Sequence, residues 1–332
     1  MIEFDKDPFY LFPIKKELLE DLFVNREEMI AIARGILEMR FVNTKEICVV
    51  GGGIGVGKSS MLHYIEKLSE EMGHSVCFFD NPEVFQERST SGVAEEVVLI
   101  DDAGKAGSDE VREFYRDVEK YMSNSGGVVF FADTYDRDNE TIKIRNYTTS
   151  QNISLPKGLD MEKLRFFLEE RMKRCLAPGA EYEFPFQDIA LEMASVRSSG
   201  NLRSFLGYAK SAWFGAVGKN EDVVTEEEMR SAIISQDMTM LGSCDLVDIR
   251  ILWYATAGET NKNFLAHQCG IDYRTLESRT GDRLKDLIRQ RRSGKDVLVK
   301  SIYKYIPGGM DILKKMIKAL GIQESEITGS ER

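Results

Sequence analysis

Residues Ile47–Met61 read ICVVGGGIGVGKSSM, and the fold is decided by this stretch. A short apolar run, Ile47-Cys48-Val49-Val50, stops abruptly at glycines. Gly52, four further residues and Gly57-Lys58-Ser59 complete the pattern G-x-x-x-x-G-K-[ST], and Met61, Leu62, Ile65 and Leu68 follow at helical spacing. Strand, glycine loop and helix, in that order, are the context in which this pattern cradles phosphate. Glycines accept positive φ and let backbone N–H groups approach phosphate oxygens, and the start of the next helix presents more donors. The expected cradle is Gly52, Gly53, Ile54, Gly55, Val56, Gly57, Lys58, Ser59 and Ser60. Lys58 is expected to reach the β- and γ-phosphates, and the Ser59 hydroxyl to hold Mg²⁺. A glycine-rich turn carrying a chance Lys-Ser is the competing reading. The flanking strand and helix, and acids further on, weigh against it.

The chain has 332 residues, too many for one small domain and suited to two or three. Its net charge of −11 argues against wholesale binding to nucleic acid or an anionic membrane, but leaves room for one basic module on an acidic body. Cys48, Cys77, Cys175, Cys244 and Cys269 are scattered, and His63, His74 and His267 do not join them at zinc-ligand spacing. Reduced thiols in a cytoplasmic protein are the expectation. The first residues, MIEFDKDPFYLF, lack a basic segment followed by an apolar core, and no stretch approaches the length of a membrane span.

Pro8 and Pro13 predict an extended arm before Val24, and Asn25 with Glu28 predicts a capped helix to about Met39, burying Met29, Ile32, Ala33, Ile36 and Leu37. After the glycine loop and its helix, His74–Asp80 reads as a buried strand and 82–95 as polar and irregular. Val97-Val98-Leu99-Ile100 then runs into Asp101-Asp102. A buried parallel strand ending in acids delivers carboxylates beside the phosphate loop. Asp101 is expected to support Mg²⁺ and Asp102 to orient the attacking water. A helix over Glu110–Tyr121 precedes the strand Val128-Val129-Phe130-Phe131, which ends in Ala132-Asp133-Thr134, and Asn152–Pro156 reads as a last strand. Strands alternating with helices predict a doubly wound parallel α/β sheet.

From Leu159 the pattern is helical: Met161–Leu176, Pro185–Ala194 and a helix opened by Gly200-Asn201-Leu202-Arg203 and running to Phe214. An acidic connection with a short helix, Glu226–Ile234, leads to helices over Leu246–Ala257, Asn261–Cys269 and Tyr273 to about Ile288, two short strands within Arg291–Lys304, and a final helix, Met310–Leu320. Three helices and a hairpin are the winged helix-turn-helix plan. The expected organisation is a nucleotide-binding α/β domain over 1–157, a helical lid over 158–220, a connection over 221–245, a winged helix over 246–321 and a tail over 322–332.

The order of these pieces, from VNRE through the glycine loop, LIDD, FFADT and GNLR to the hairpin, resembles AAA+ P-loop ATPases of the archaeal origin-recognition, or replication-initiator, type. The resemblance covers nearly the whole chain. It implies ATP or ADP with Mg²⁺, and Val24, Asn25 and Arg26 bordering the adenine. It implies Asp133 or Thr134 as a first sensor where the family has Asn, Ser or Thr, and Arg203 as a lid arginine reporting the γ-phosphate. Arg145, in competition with Arg137, matches an arginine finger for a neighbouring subunit, hence a homo-oligomer in the ATP state. Replication or assembly proteins are implied as partners. Asp102 departs from the family's usual Glu, and withdrawing the carboxylate by one methylene predicts slow hydrolysis. The short stretch between His74 and Asp101 leaves room for a divergent plasmid, viral or mobile-element relative.

Between Tyr273 and Lys318 stand thirteen Lys and Arg against five acids. Arg274, Arg279 and Arg283 are expected on the recognition helix and Lys295 at the wing tip, with Arg289, Arg291 and Arg292 nearby. Phosphate contacts to duplex DNA follow from such a cluster. A solvated cationic face, and a winged helix that docks a protein as in STAND-like signalling ATPases, are the alternatives.

Overall fold

The computed structural model describes residues 2, 4–11, 13–24, 26–39, 46–53, 55–89, 97–101, 114, 116–121, 127–134, 151–155, 160–258, 260–293 and 296–328. The chain divides into two compact units, 2–182 with 200–204, and 183–199 with 205–332.

In the first unit a 3₁₀ turn, Lys16–Leu18, runs into α1 (Leu19–Leu22), followed by α2 (Glu27–Met39) and β1 (Glu46–Gly52). Then come α3 (Lys58–Glu71), β2 (Val76–Phe79), α4 (Pro82–Ser89), β3 (Val97–Ile100), β4 (Val128–Thr134), β5 (Gln151–Ser154) and α5 (Met161–Arg174). The strands form one sheet in the order β2-β3-β4-β1-β5, and every pairing is parallel. Alternate residues of each strand face opposite ways, so every strand contributes to two cores. Cys48, Val50, Val97, Leu99, Phe130 and Ala132 pack with α2 and α3 on one side. Val49, Val98, Ile100, Val129 and Phe131 pack with Phe85, Phe114 and Val118 on the other. That two-sided burial is why these strands read as continuous apolar runs.

Three local readings are corrected. Residues 82–89, expected to be irregular, form α4. The Asn81 side chain accepts from the Val84 N–H at 3.0 Å, Pro82 supplies a preset φ at the first position, and Phe85 is fully buried against Phe79 and Phe114. On α2, Ala33, Ile36 and Leu37 are buried as expected, whereas Ile32 lies off that stripe and is exposed. The proposed cap Asn25 lies outside the described residues. The N-terminal arm, expected to be extended, bends at 5–6 and turns at 8–9, ends in the helical turns above and is pinned. The Ile14 N–H donates to Ser60 Oγ at 3.0 Å and the Asp5 N–H to the Cys175 carbonyl at 2.8 Å.

The second unit holds α6 (Asp188–Ser198), all but the first three residues of α7 (Leu202–Gly218), α8 (Glu226–Leu241) and α9 (Leu246–Ala257). It continues with β6 (Thr260–Asn261), α10 (Lys262–Cys269), α11 (Tyr273–Ser278), a π-helical turn Arg279–Arg283, β7 (Ile288–Ser293) and β8 (Asp296–Ser301). After a 3₁₀ turn, Ile302–Tyr305, it ends in α12 (Gly309–Ala319) and α13 (Glu324–Thr328). The strands form an antiparallel sheet in the order β6-β8-β7. The helix expected over Glu226–Ile234 starts at a capping box of Thr225 and Glu228 and runs on to Leu241, with Asp237 buried in the added turns. The last helix expected before the hairpin stops at Arg283, and β7 starts at Ile288. The first turns form, and Gly281 lies in the π-helical turn at which the helix ends. Among the described residues, no helix is long and apolar enough to cross a membrane.

Candidate functional site

The end of β1 delivers the glycine loop. A Cβ on Gly52 would meet Val56 Cγ2 at 2.8 Å and the Leu155 Cβ at 3.1 Å, so the turn closes only around glycine. Gly55 and Gly57 hold φ of +75° and +103°. Val56 is buried, and α3 starts at Lys58 with no side chain capping its first N–H groups. Those donors, with positive-φ glycines ahead of them, make a cradle suited to an anionic phosphate chain. Lys58 Nζ donates to the carbonyls of Gly52 at 3.1 Å and Gly53 at 2.9 Å, which holds the ammonium over the loop. Ser59 is half-buried in the first turn of α3, and Ser60 is buried with its hydroxyl given to the arm. Ile54 lies outside the described residues.

The strand order sets the partners of the loop. β4 lies between β1 and β3, with Gly51 opposite Asp133 and Gly52 opposite Thr134. Ile100 is opposite Phe131, so Asp101 leaves β3 level with Ala132. Its N–H donates to the Phe79 carbonyl at 2.9 Å. The loop, Asp101 and the Asp133-Thr134 pair therefore leave the sheet at the same edge, the carboxyl ends of parallel strands, where ligands of such sheets bind. Asp102 and Arg145 lie outside the described residues, as does the competing Arg137.

Val24 is buried. Arg26 is 4% exposed, and its Nη2 donates to the Val56 carbonyl at 3.3 Å, so it braces the loop from behind. Burial pulls its guanidinium below the ordinary range, against the opposing charge of Glu27. That role was not legible, since Arg26 and Val56 are 30 residues apart. Arg203 is exposed in the first turn of α7, two residues after Asn201, whose carboxamide lies against Gly55. The loop and the Gly200–Ser204 segment thus belong to one unit.

The cationic segment is less uniform than its sequence. Arg274 is exposed on α11. Arg279 and Arg283 are engaged internally. Arg279 Nη1 sits 2.7 Å from both Asp245 Oδ2 and the fully buried Asp248 Oδ1, and Arg283 Nη1 lies 3.0 Å from Asp245 and 3.1 Å from Asp248. Burial would raise the Asp245 carboxyl, but hydrogen bonds from Arg279, the Asp248 N–H and Arg283 hold it down at about 2. Arg289 and Arg291 are exposed on β7, on one sheet face with Lys300, and Arg289 lies over the Tyr305 ring at 4.8 Å. Arg292 is on β7, and Lys295 lies outside the described residues.

A parallel sheet in this order, with helices on both faces and a glycine loop at the edge, defines a P-loop nucleoside-triphosphatase fold of the AAA+ kind. Two solved structures show the same architecture. RuvB of Thermotoga maritima, described as a Holliday junction branch migration motor, aligns with 91% of this chain and 96% of its own at 17% identity and a TM-score of 0.51. Orc1 of Aeropyrum pernix, in complex with DNA, aligns with 94% of this chain and 96% of its own at 11% identity and a TM-score of 0.56. The likeness at these identities is one of fold. No family model matches the sequence, and no curated protein does.

Proposed function

We propose that the chain binds ATP and ADP, hydrolyses ATP slowly, and engages duplex DNA through a winged helix over 246–321. The observation that carries the nucleotide half is the register of β1, β4 and β3, which brings the glycine loop, Asp101 and Asp133-Thr134 to one edge. Lys58 and the loop amides take the phosphates, and Val24, Asn25 and Arg26 border the base. Ser59 and Asp101 hold Mg²⁺, which neutralises charge on the β- and γ-phosphates. Thr134 or Asp133 and Arg203 read the γ-phosphate, Asp102 positions water, and Arg145 serves a neighbouring subunit in an ATP-bound homo-oligomer. A helical lid over 158–220 joins the two functions.

For DNA, the fold shared with Orc1, a protein solved on DNA, and with the RuvB motor supports the reading. So does the order α9, β6, α10, α11, β7, β8, which is that of a winged helix. The internal pairing of Arg279 and Arg283 shifts the weight of the contacts to Arg274 and to Arg289 and Arg291 on the hairpin. The test is binding of duplex DNA at two salt concentrations, with and without ATP. Arg291→Ala is expected to weaken binding and to reduce the salt slope by about one. Lys58→Ala is expected to abolish the response to ATP. Absence of DNA binding in both nucleotide states overturns the DNA half.

One observation favours a second reading, a STAND-like ATPase that docks a protein. Phe264 on α10 and Tyr273 on α11 are 57% and 37% exposed. A stoichiometric protein partner that is lost in Phe264→Ser, together with no affinity for DNA, supports it.

A further inference from the structure

Arg171, on α5, is 1% exposed and has little to balance its charge. Among the described residues no carboxylate pairs with it, and its Nε has no hydrogen-bond partner. Its Nη2 donates to the Tyr10 carbonyl at 3.4 Å, longer than an ordinary hydrogen bond, and its Cζ lies 5.2 Å from the Phe167 ring centroid. Burial pulls the guanidinium down to about 10, against the opposing influence of Cys175 and Asp7, so it stays charged at neutral pH. A buried charge without a counter-ion is costly, and water removes that cost. The N-terminal arm crosses the end of α5 here. Phe4 bridges to Leu176, and the Asp5 N–H donates to the Cys175 carbonyl at 2.8 Å. Further along the arm, the Ile14 N–H donates to Ser60 Oγ at 3.0 Å, in the first turn of α3 and next to Ser59.

We propose that the arm, described at residues 4–11 and 13–14, is a strap that opens to hydrate Arg171 and closes onto the nucleotide site through Ser60. Closed, it leaves a guanidinium dry. Open, it wets the guanidinium but takes the Ile14 donor away from Ser60 and unbraces the first turn of α3. A polyphosphate held by that turn favours the braced state, so ligand binding shuts the strap. This last step rests on the nucleotide reading above.

Hydrogen exchange of the full chain reads both ends of the strap. The Asp5 and Ile14 amides should exchange far ahead of Leu99, which is fully buried in a strand paired on both sides. Arg171→Met keeps an unbranched apolar stem and removes the charge, and should slow exchange at Asp5 and Ile14 by roughly tenfold or more. A non-hydrolysable ATP analogue with Mg²⁺ should slow Ile14 in the wild-type chain. Arm amides as protected as Leu99, an Arg171→Met chain that exchanges as fast as wild type, or one that fails to fold, overturns the strap. An analogue that binds without slowing Ile14 overturns its coupling to the nucleotide site. An analogue that does not bind overturns the nucleotide reading and leaves the Arg171 result standing.

Discussion

Asp237 is 1% exposed, and both its oxygens are saturated. Oδ2 accepts from Arg197 Nε at 2.6 Å and Tyr303 Oη at 2.9 Å, and Oδ1 from Arg197 Nη2 at 2.8 Å and Tyr208 Oη at 3.0 Å. Burial alone would lower the Arg197 guanidinium, but the hydrogen bonds and charge of Asp237 raise it, so the guanidinium stays charged. Burial, reinforced by the same carboxylate, pushes the Tyr303 phenol well up and keeps it a donor. A buried pair of this kind is worth little against apolar replacement of both members, yet removing one strands the other. Asp237→Ala is therefore expected to destabilise the second unit by roughly 3–5 kcal/mol, whereas replacing both Arg197 and Asp237 by Met should cost less. Urea denaturation midpoints with unchanged slopes check this, and an Asp237→Ala chain as stable as wild type refutes it. Nothing local betrays the pair, because Arg197 and Asp237 lie 40 residues apart and each falls beyond the end of the helix expected from sequence.

At the scale of the element, α9 shows how a cap becomes a joint. Asp245 and Asp248 form a reciprocal capping box, which the sequence permits, and the same two carboxylates receive Arg279 and Arg283 from the π-helical turn. Their sequence positions suggested a recognition helix. Instead the pairing anchors that turn to α9. The folded Asp245 carboxyl titrates at about 2 against an ordinary 3.8, so its contribution is complete above pH 3.8 and is lost as pH falls toward 2. Asn also caps helices well, so Asp245→Asn isolates the charge. The stability difference between wild type and Asp245→Asn should be constant from about pH 5 upward and shrink below pH 4. A difference independent of pH means that the arginines do not act through this carboxylate. Asp245 is nearly half exposed, which keeps the expected difference to about 1 kcal/mol or less.

For the whole molecule, the strand order settles which side chains can cooperate. β4 inserted between β1 and β3 puts the expected sensor residues between the loop and Asp101, and no reading of adjacent sequence would put β1 beside β4. The proposed chemistry makes one quantitative demand here. If Asp102 limits turnover because its carboxylate is one methylene short, Asp102→Glu should raise the ATPase rate by about tenfold or more, since a shift of about 1 Å can be worth ~10²-fold. Lys58→Ala should abolish hydrolysis, and a fall in rate in Asp102→Glu overturns the reading of a slow switch.

Sequence determined the features whose signal is local. The run Ile47–Met61 specified strand, positive-φ loop and helix, because only glycine allows such a turn and only an apolar run survives burial on both faces. The runs at Val97 and Val128, the parallel α/β class and most helices of the second unit were legible from period and caps in the same way. Tertiary structure alone decided what those elements bring together. It turned Arg26 onto the Val56 carbonyl, set Asn201 on Gly55, spent Arg279 and Arg283 on Asp245 and Asp248, and buried Arg197 with Asp237. Charged and amide side chains carry no local mark of their partners. Whether an arginine meets solvent, phosphate or a buried carboxylate depends on which distant segment the packing lays beside it. The glycine loop accordingly carried the expectation of a phosphate site from sequence, while the residues packed against that loop emerged only from the fold.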